Sequence, residues 1–195
     1  MVAVNGAFLM RVMRIIAGKF KGRRLNTPKG REIRPTSDRI KENIFDILGN
    51  VPVDARVIDL FAGTGGLGIE ALSRGAEQVT FVDYSNKALG IIRKNVEMIG
   101  TGDRSTIMRS EVMRFIRRKC ENQFNFVFAD PPYQFGSLVE LVDNVFLHVL
   151  APGGIFILEH KTGNINWDLT EWKPFREKMA GNTTISFFRR EGESA

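Results

Sequence analysis

A chain of 195 residues, 43% hydrophobic and 26% charged, with no low-complexity stretch, is long enough to bury one substantial core without cross-links. A single cysteine, Cys120, excludes an intramolecular disulfide, and two histidines (His148, His160) beside it spell out no metal-ligand cluster. The net charge of +6 is concentrated: residues 1–41 hold eleven Lys or Arg against two acids, while the remainder holds 17 against 20.

In chain order, residues 1–12 contain a short apolar run without a basic leader or a clear cleavage site. They are expected to be a disordered extension, or upstream codons with Met13 the natural start. Residues 13–17 and 23–26 alternate enough for a short hairpin, punctuated by Gly18 and Gly22. Residues 27–35 hold two prolines and a glycine and read as a loop. Thr36-Ser37-Asp38 then caps a helix over 39–48, with Ile40, Ile44, Ile47 and Leu48 on one face. After a linker over 49–54, from Arg56 strands (57–61, 78–82, 105–108, 124–129, 154–159) alternate with helices (67–73, 86–99, 111–119, 137–150), which argues a parallel sheet covered on both faces. Residues 175–180 and 183–190, joined by Gly181-Asn182, read as an antiparallel hairpin. The expected division is a basic hairpin-and-helix segment over 13–50 and an α/β domain over 51–195. The expected class is α/β, Rossmann-like, a mostly parallel sheet ending in an antiparallel strand, with a small N-terminal hairpin and helix.

Two motifs carry chemistry. Asp130-Pro131-Pro132-Tyr133 follows the apolar run 124–129. Prolines donate nothing to a sheet ladder and hold neighbouring carbonyl oxygens in place. The Asp130 carboxylate and a backbone carbonyl can accept both N–H groups of a planar amine, while Tyr133 stacks on its ring. A turn capped by Asp130 is the plainer reading. The second motif is the strand–turn–helix 57–68, in which Gly63, Gly65 and Gly68 fit G-x-G-x-x-G. Asp83, 20 positions past the first glycine, ends the next strand, where a carboxylate suits ribose hydroxyls. NAD and S-adenosylmethionine share that pattern. Asp59 discriminates between them: it is unwelcome beside a pyrophosphate and useful beside the cationic amino-acid end of S-adenosylmethionine.

The basic residues of the first 41 are interleaved with Gly18, Phe20 and Gly22 rather than run together, the footprint of polyanion binding. No apolar stretch reaches the ~18–20 residues needed to span a bilayer. A reduced, cytoplasmic setting, no membrane partner and a monomer are expected.

From Met13 to Glu191 the sequence resembles the RsmD family, bacterial guanine-N2 methyltransferases of 16S ribosomal RNA. The residues that carry the resemblance are the opening 13–25 (MRIIAGKFKGRRL), 34–42 (RPTSDRIKE), the cofactor loop 59–68 continued by 70–75 (EALSRG), 128–133 (FADPPY), and 176–181 with 188–191. The resemblance implies S-adenosyl-L-methionine as methyl donor, S-adenosyl-L-homocysteine as product and no metal. It places the cofactor on Asp59, Phe61, Ala62, Gly63, Thr64, Gly65, Gly68, Asp83, Tyr84 and Asp130. Glu111 is the nearest candidate for reading the adenine, because the usual Asp or Asn near the end of the third strand is missing. Catalysis is implied at Asp130, Pro131, Pro132 and Tyr133. Contact with 16S ribosomal RNA in the small subunit is implied at Arg14, Lys19, Lys21, Arg23, Arg24, Arg34, Thr36, Arg39 and Lys41. A DNA adenine or protein glutamine methyltransferase keeps the chemistry and changes the substrate. An NAD oxidoreductase leaves Asp130–Tyr133 idle, and a non-catalytic RNA-binding module has no need of the glycine loop.

Overall fold

The structure is a computed structural model that describes residues 13–28, 37–49, 51, 53–118 and 123–192. Seven strands form one sheet in the order β3-β2-β1-β4-β5-β7-β6. Strands β1 (Arg56–Leu60), β2 (Gln78–Asp83), β3 (Ser105–Arg109), β4 (Phe124–Ala129) and β5 (Leu150–Lys161) are parallel, whereas β7 (Thr183–Arg189) runs antiparallel to both β5 and β6 (Arg176–Ala180). The central strands are runs of Val, Ile and Phe buried on both sides, the composition of a sheet covered on two faces. Strand order reverses between β1 and β4, so a crevice opens beyond their carboxyl ends.

The helices are α1 (Asp38–Leu48), α2 (Gly66–Arg74), α3 (Asn86–Ile99), α4 (Val112–Ile116) and α5 (Leu138–His148). Ser37 and Ser85 cap α1 and α3, each accepting an amide of the first turn, from Ile40 at 3.3 Å and Ala88 at 3.4 Å. One core joins Phe81, Phe128, Ile157 and Phe187 of the sheet to α1, α2 and α3; the other joins Ile58, Val127, Phe156 and Phe188 to α4 and α5. No helix among the described residues is long and apolar enough to cross a membrane.

Most bounds shift by one or two residues, α5 ending at His148 among them, and three elements depart further. Helix α4 is described only over five residues, with 119–122 outside the described residues. Strand β5 starts at Leu150, four residues before the predicted start, because it continues through Pro152 and Gly153 across a register shift opposite β4. The N-terminal hairpin is a single antiparallel bridge, Arg14 to Arg24, with Ile15, Gly22 and Leu25 amides donating across it rather than two regular strands. The expected extension over 1–12 lies outside the described residues.

The segment 13–28 does not stand apart from the body. Met13, Ile15, Phe20 and Leu25 are buried in the same core as α2 and α3. Glu70 of α2, 1% exposed, accepts the amides of Ile16 (2.8 Å) and Ala17 (2.9 Å) and the Arg74 guanidinium (2.9 Å). The Ser73 hydroxyl accepts the Phe20 amide and donates to the Ala17 carbonyl. Gly18, at φ 81°, lies so close to α2 that a Cβ there would sit 1.9 Å from the Ser73 carbonyl oxygen. Asn95 of α3, fully buried, accepts the Asn26 amide at 2.7 Å and donates to the Asn26 and Thr64 carbonyls.

Candidate active site

A cleft of about 590 Å³ occupies the crevice beyond β1 and β4. Asp59 lines it from within β1, 3% exposed, its carboxyl accepting the Gly68 amide at 2.9 Å. Burial pushes the Asp59 carboxyl up to about 8; neighbouring Asp130 and Asp83 push the same way, against the Gly68 amide. Phe61 is the one described non-glycine residue with positive φ (56°), a strained conformation at the start of the glycine turn. Its ring meets Phe135 edge-on at 5.2 Å, tying the turn after β1 to the loop after β4. Asp83 fastens the turn from the other side, accepting the amides of Gly63 (2.9 Å) and Ser85 (2.8 Å).

Asp130 is half-buried at the end of β4, Pro131 is buried and Pro132 is exposed. The Pro132 carbonyl accepts the Phe135 amide at 2.7 Å, which closes the loop. Tyr133 is 60% exposed, with its hydroxyl 3.4 Å from that of Thr183 at the start of β7. The ring therefore stands at the mouth of the cleft, free to stack. Asp59, Asp83, Asp130 and Glu159 against Lys87 make the wall predominantly acidic, while Phe61, Tyr84 and Tyr133 supply ring faces. Such a site suits a ligand with positive charge and flat rings, and offers little to a pyrophosphate.

Asp59, Phe61, Ala62, Gly63, Thr64, Asp83, Tyr84, Asp130, Pro131, Pro132 and Tyr133 all line this cleft. Gly65, Gly68 and Glu111 do not. Gly65, at φ 77°, caps α2 and faces Ile92, Ile69 and Phe81; a Cβ on Gly68 would lie 2.3 Å from the Phe81 ring, so its smallness lets α2 lie against the sheet. Glu111 is exposed at the start of α4, off the cleft wall. Besides Gly66 and Leu67 within the glycine motif, the sequence reading missed Ser37, Ile40, Ser85, Lys87, Ala88 and Glu159. Only the serines left a signal, as helix caps.

Of the expected RNA contacts, Lys19, Lys21, Arg23, Arg24 and Arg39 are exposed, and Arg14 pairs with Asp38 at 3.1 Å. Arg39 lies between Ser37 and Ile40, which face the cleft. Arg34 and Thr36 lie outside the described residues. Lys41 corrects the expectation: it is fully buried, its ammonium donated to the Arg14 carbonyl and 3.4 Å from Asp38. Burial lowers its pKa against the pull of Asp38 and Glu70. Lys41 joins α1 to the N-terminal segment and presents no charge to a phosphate.

A family model described as conserved hypothetical protein 95 matches residues 13–189. The ribosomal RNA small subunit methyltransferase D of Escherichia coli K12 is 34% identical over 186 residues, covering 93% of this chain and 91% of that one. A solved Escherichia coli structure named as a methyltransferase, yhhF, aligns with a TM-score of 0.83 at 33% identity over 93% of this chain and 99% of that one. An RNA methyltransferase from Salinibacter ruber, solved with S-adenosyl-L-homocysteine, shares the fold with a TM-score of 0.62 at 18% identity, covering 83% and 97%. With the 13–25, 34–42 and 128–133 signatures all inside the matched span, the chain belongs to the RsmD family and has its Rossmann-like methyltransferase fold.

Proposed function

We propose that this protein transfers a methyl group from S-adenosyl-L-methionine to the exocyclic N2 of a guanine in small-subunit ribosomal RNA, on a particle already bearing ribosomal proteins. The observation that carries the reading is that Asp130–Tyr133 and the Asp59–Thr64 turn with Asp83 share one cleft at the switch point of the sheet. The names of the Escherichia coli and Haemophilus influenzae relatives, both small-subunit ribosomal RNA methyltransferases, support the substrate class.

The residues present fit the cofactor. Asp83 at the end of β2 has lone pairs left for ribose hydroxyls, Asp59 and the Gly63 turn face the amino-acid end, and Phe61 and Tyr84 offer apolar surface. When bound, S-adenosyl-L-methionine supplies an electrophilic methyl group on a sulfonium. The chain's part is to prepare the amine, whose lone pair is delocalised into the guanine ring. The Asp130 carboxylate and the Pro131 carbonyl accept its two N–H groups and stabilise the positive charge that develops on nitrogen. Asp130 then takes the proton. Tyr133 stacks on the base, which must be splayed out of its RNA fold to reach the cleft. Holding the amine in line is the larger contribution, since effective molarities supply ~7–11 kcal/mol. The exposed bases Lys19, Lys21, Arg23, Arg24 and Arg39 hold the RNA backbone. The segment 13–50 is thus an RNA-binding unit, whose described residues share their core with those of the methyltransferase body over 51–195.

Methyl transfer to small subunits from a strain lacking its own enzyme tests the proposal. Digestion of the labelled RNA is expected to yield N2-methylguanosine; N6-methyladenosine, or no label in RNA, overturns it. A larger melting shift with NAD than with S-adenosyl-L-homocysteine points to the oxidoreductase instead.

Asp59 adds a pH signature. Its carboxyl is raised from 3.8 to about 8, so the ligand-free site holds it protonated at neutral pH. The unfolded chain holds it ionised there, so its contribution to stability is complete below pH ~4 and is lost as pH rises toward 8. A cation bound beside it favours the carboxylate and expels the proton. Affinity for S-adenosyl-L-methionine is therefore expected to rise between pH 6 and 7.5, by up to about tenfold per unit. Calorimetry in two buffers of different ionisation heat should register the released proton, and Asp59→Asn should flatten the profile. A pH-independent affinity in the wild type removes Asp59 from the cationic end of the ligand.

A further inference from the structure

Outside its first 41 residues the chain carries more acids than bases, yet the fold gathers bases at the far edge of the sheet. We propose that β6, β7 and the end of β5 form a second RNA-backbone surface, which holds the strand flanking the target nucleotide as it leaves Tyr133. The inference rests on the RNA-methylation reading above and adds a binding surface to it.

Register defines the surface. Paired residues of antiparallel strands point to the same face, so Lys161 shares a face with Thr183, Lys178 with Ile185, Arg176 with Phe187, and Arg189 with Ile155. Ile185 and Phe187 are buried beneath that face in the core that includes Ile40, Ile44 and Phe45 of α1. The four bases are exposed on the same face, and among the described residues Lys161, Arg176 and Lys178 form no ion pair. Arg176 and Lys178 stand two residues, about 6.8 Å, apart along the edge strand. Arg189 lies over the ring of Phe175 at 5.2 Å, and Phe175 is 51% exposed, so a flat aromatic face accompanies the charges. The acid of β6 is turned away: Glu177 is on the opposite face, accepting the Ser186 hydroxyl (2.6 Å) and the Trp167 indole N–H (3.3 Å). Glu42 and Asp46 are exposed on α1, so the positive surface does not extend along that helix.

Position gives the surface its role. Tyr133 reaches Thr183, and Thr183 pairs with both Lys161 and Ala180. The bases thus begin one strand from the ring that stacks on the target and continue outward along β6. Aromatic faces interleaved with bases are how single strands are held without reading sequence. The N-terminal bases belong to a segment docked on α2 and α3, across the cleft from β6, so an RNA held by both surfaces is held on either side of the extruded nucleotide.

The test is RNA binding by a Lys161→Ala, Arg176→Ala, Lys178→Ala variant, measured against small-subunit RNA over a range of salt. The expected result is at least tenfold weaker binding near 0.15 M salt. The slope of log affinity on log salt should fall by about 2, as for three lost phosphate contacts at ~0.7–0.9 each. Affinity for S-adenosyl-L-homocysteine and the melting temperature should stay at the wild-type values. If the alanine variant melts early, the same three positions as glutamine serve, since all three side chains are exposed. Arg114→Ala with Arg118→Ala, beside the opposite core, should leave RNA affinity unchanged. If the triple variant binds RNA like wild type while alanine at Lys19, Lys21, Arg23 and Arg24 weakens binding, the hairpin surface is wrong and the RNA reading stands. If the wild-type protein neither binds small-subunit RNA nor labels it, the RNA reading falls and this inference with it.

Discussion

Asp130→Ala is expected to lower the rate of methyl transfer by roughly 10³-fold or more, with folding intact. The side chain sits at a strand end, half-buried at the cleft, where a scaffold carries function without depending on it. Two contributions are lost together: the acceptor that stabilises charge on the amine, worth about 10²–10³ in comparable sites, and the group that takes the proton, worth about 10²–10⁴. They overlap, so the product of the two is an upper bound. Asp130→Asn keeps a carbonyl acceptor and loses the proton acceptor, and should fall between alanine and wild type. S-adenosyl-L-homocysteine should still bind within a few fold. Asp130 also raises the pKa of Asp59, so in the alanine variant the pH dependence of cofactor binding should move to lower pH. Single-turnover rates near wild type in Asp130→Ala would place the chemistry elsewhere.

Glu70→Ala carries the largest expected loss of stability. The carboxylate is buried and holds two backbone amides and the Arg74 guanidinium. Truncation strands all three donors, and breaking a buried, hydrogen-bonded charge pair costs about 3–5 kcal/mol. For a chain of this length that is a drop of roughly 10 °C in melting temperature. Glu70→Gln keeps one acceptor oxygen and should lose less. The N-terminal segment should loosen first, which trypsin would report by faster cleavage at Lys19 and Lys21. A melting temperature within about 2 °C of wild type would show that the apolar contacts of Met13, Ile15 and Phe20 hold the segment by themselves.

Glu70 and Lys41 mark the limit of what the sequence disclosed. Strands β1, β2 and β4 were legible because apolar runs buried on both faces have no other home. The crevice was legible because a carboxylate, a glycine turn and an acid twenty residues on occupy fixed places in a parallel sheet. Long-range pairing left no such trace. Lys41 read as one more RNA-contacting base of the basic segment; its burial depends on a carbonyl 27 residues away. Glu70 sat within a family signature without a role, since its partners lie 53 and 54 residues back. Gly68 read as part of the ligand turn, whereas the Phe81 ring behind it decides its size. Glu159 closes the cleft from β5, and no spacing rule connects it to β1.

The docking of the N-terminal segment has a consequence for how the chain is made. Its contacts with α2, α3 and the glycine turn span 51 to 75 residues, from Met13–Thr64 to Arg23–Met98. Residues 13–28 are synthesised before any of these partners. Closing loops of that length is rewarded only once the β1–α3 unit exists, so the first-synthesised segment is expected to dock late. Until then Met13, Ile15, Phe20 and Leu25 are uncovered on a strongly basic stretch. Pulse-labelled amide exchange during refolding should show the Ile16 and Ala17 amides protected after those of β1; simultaneous protection would mean that the segment helps to nucleate the sheet.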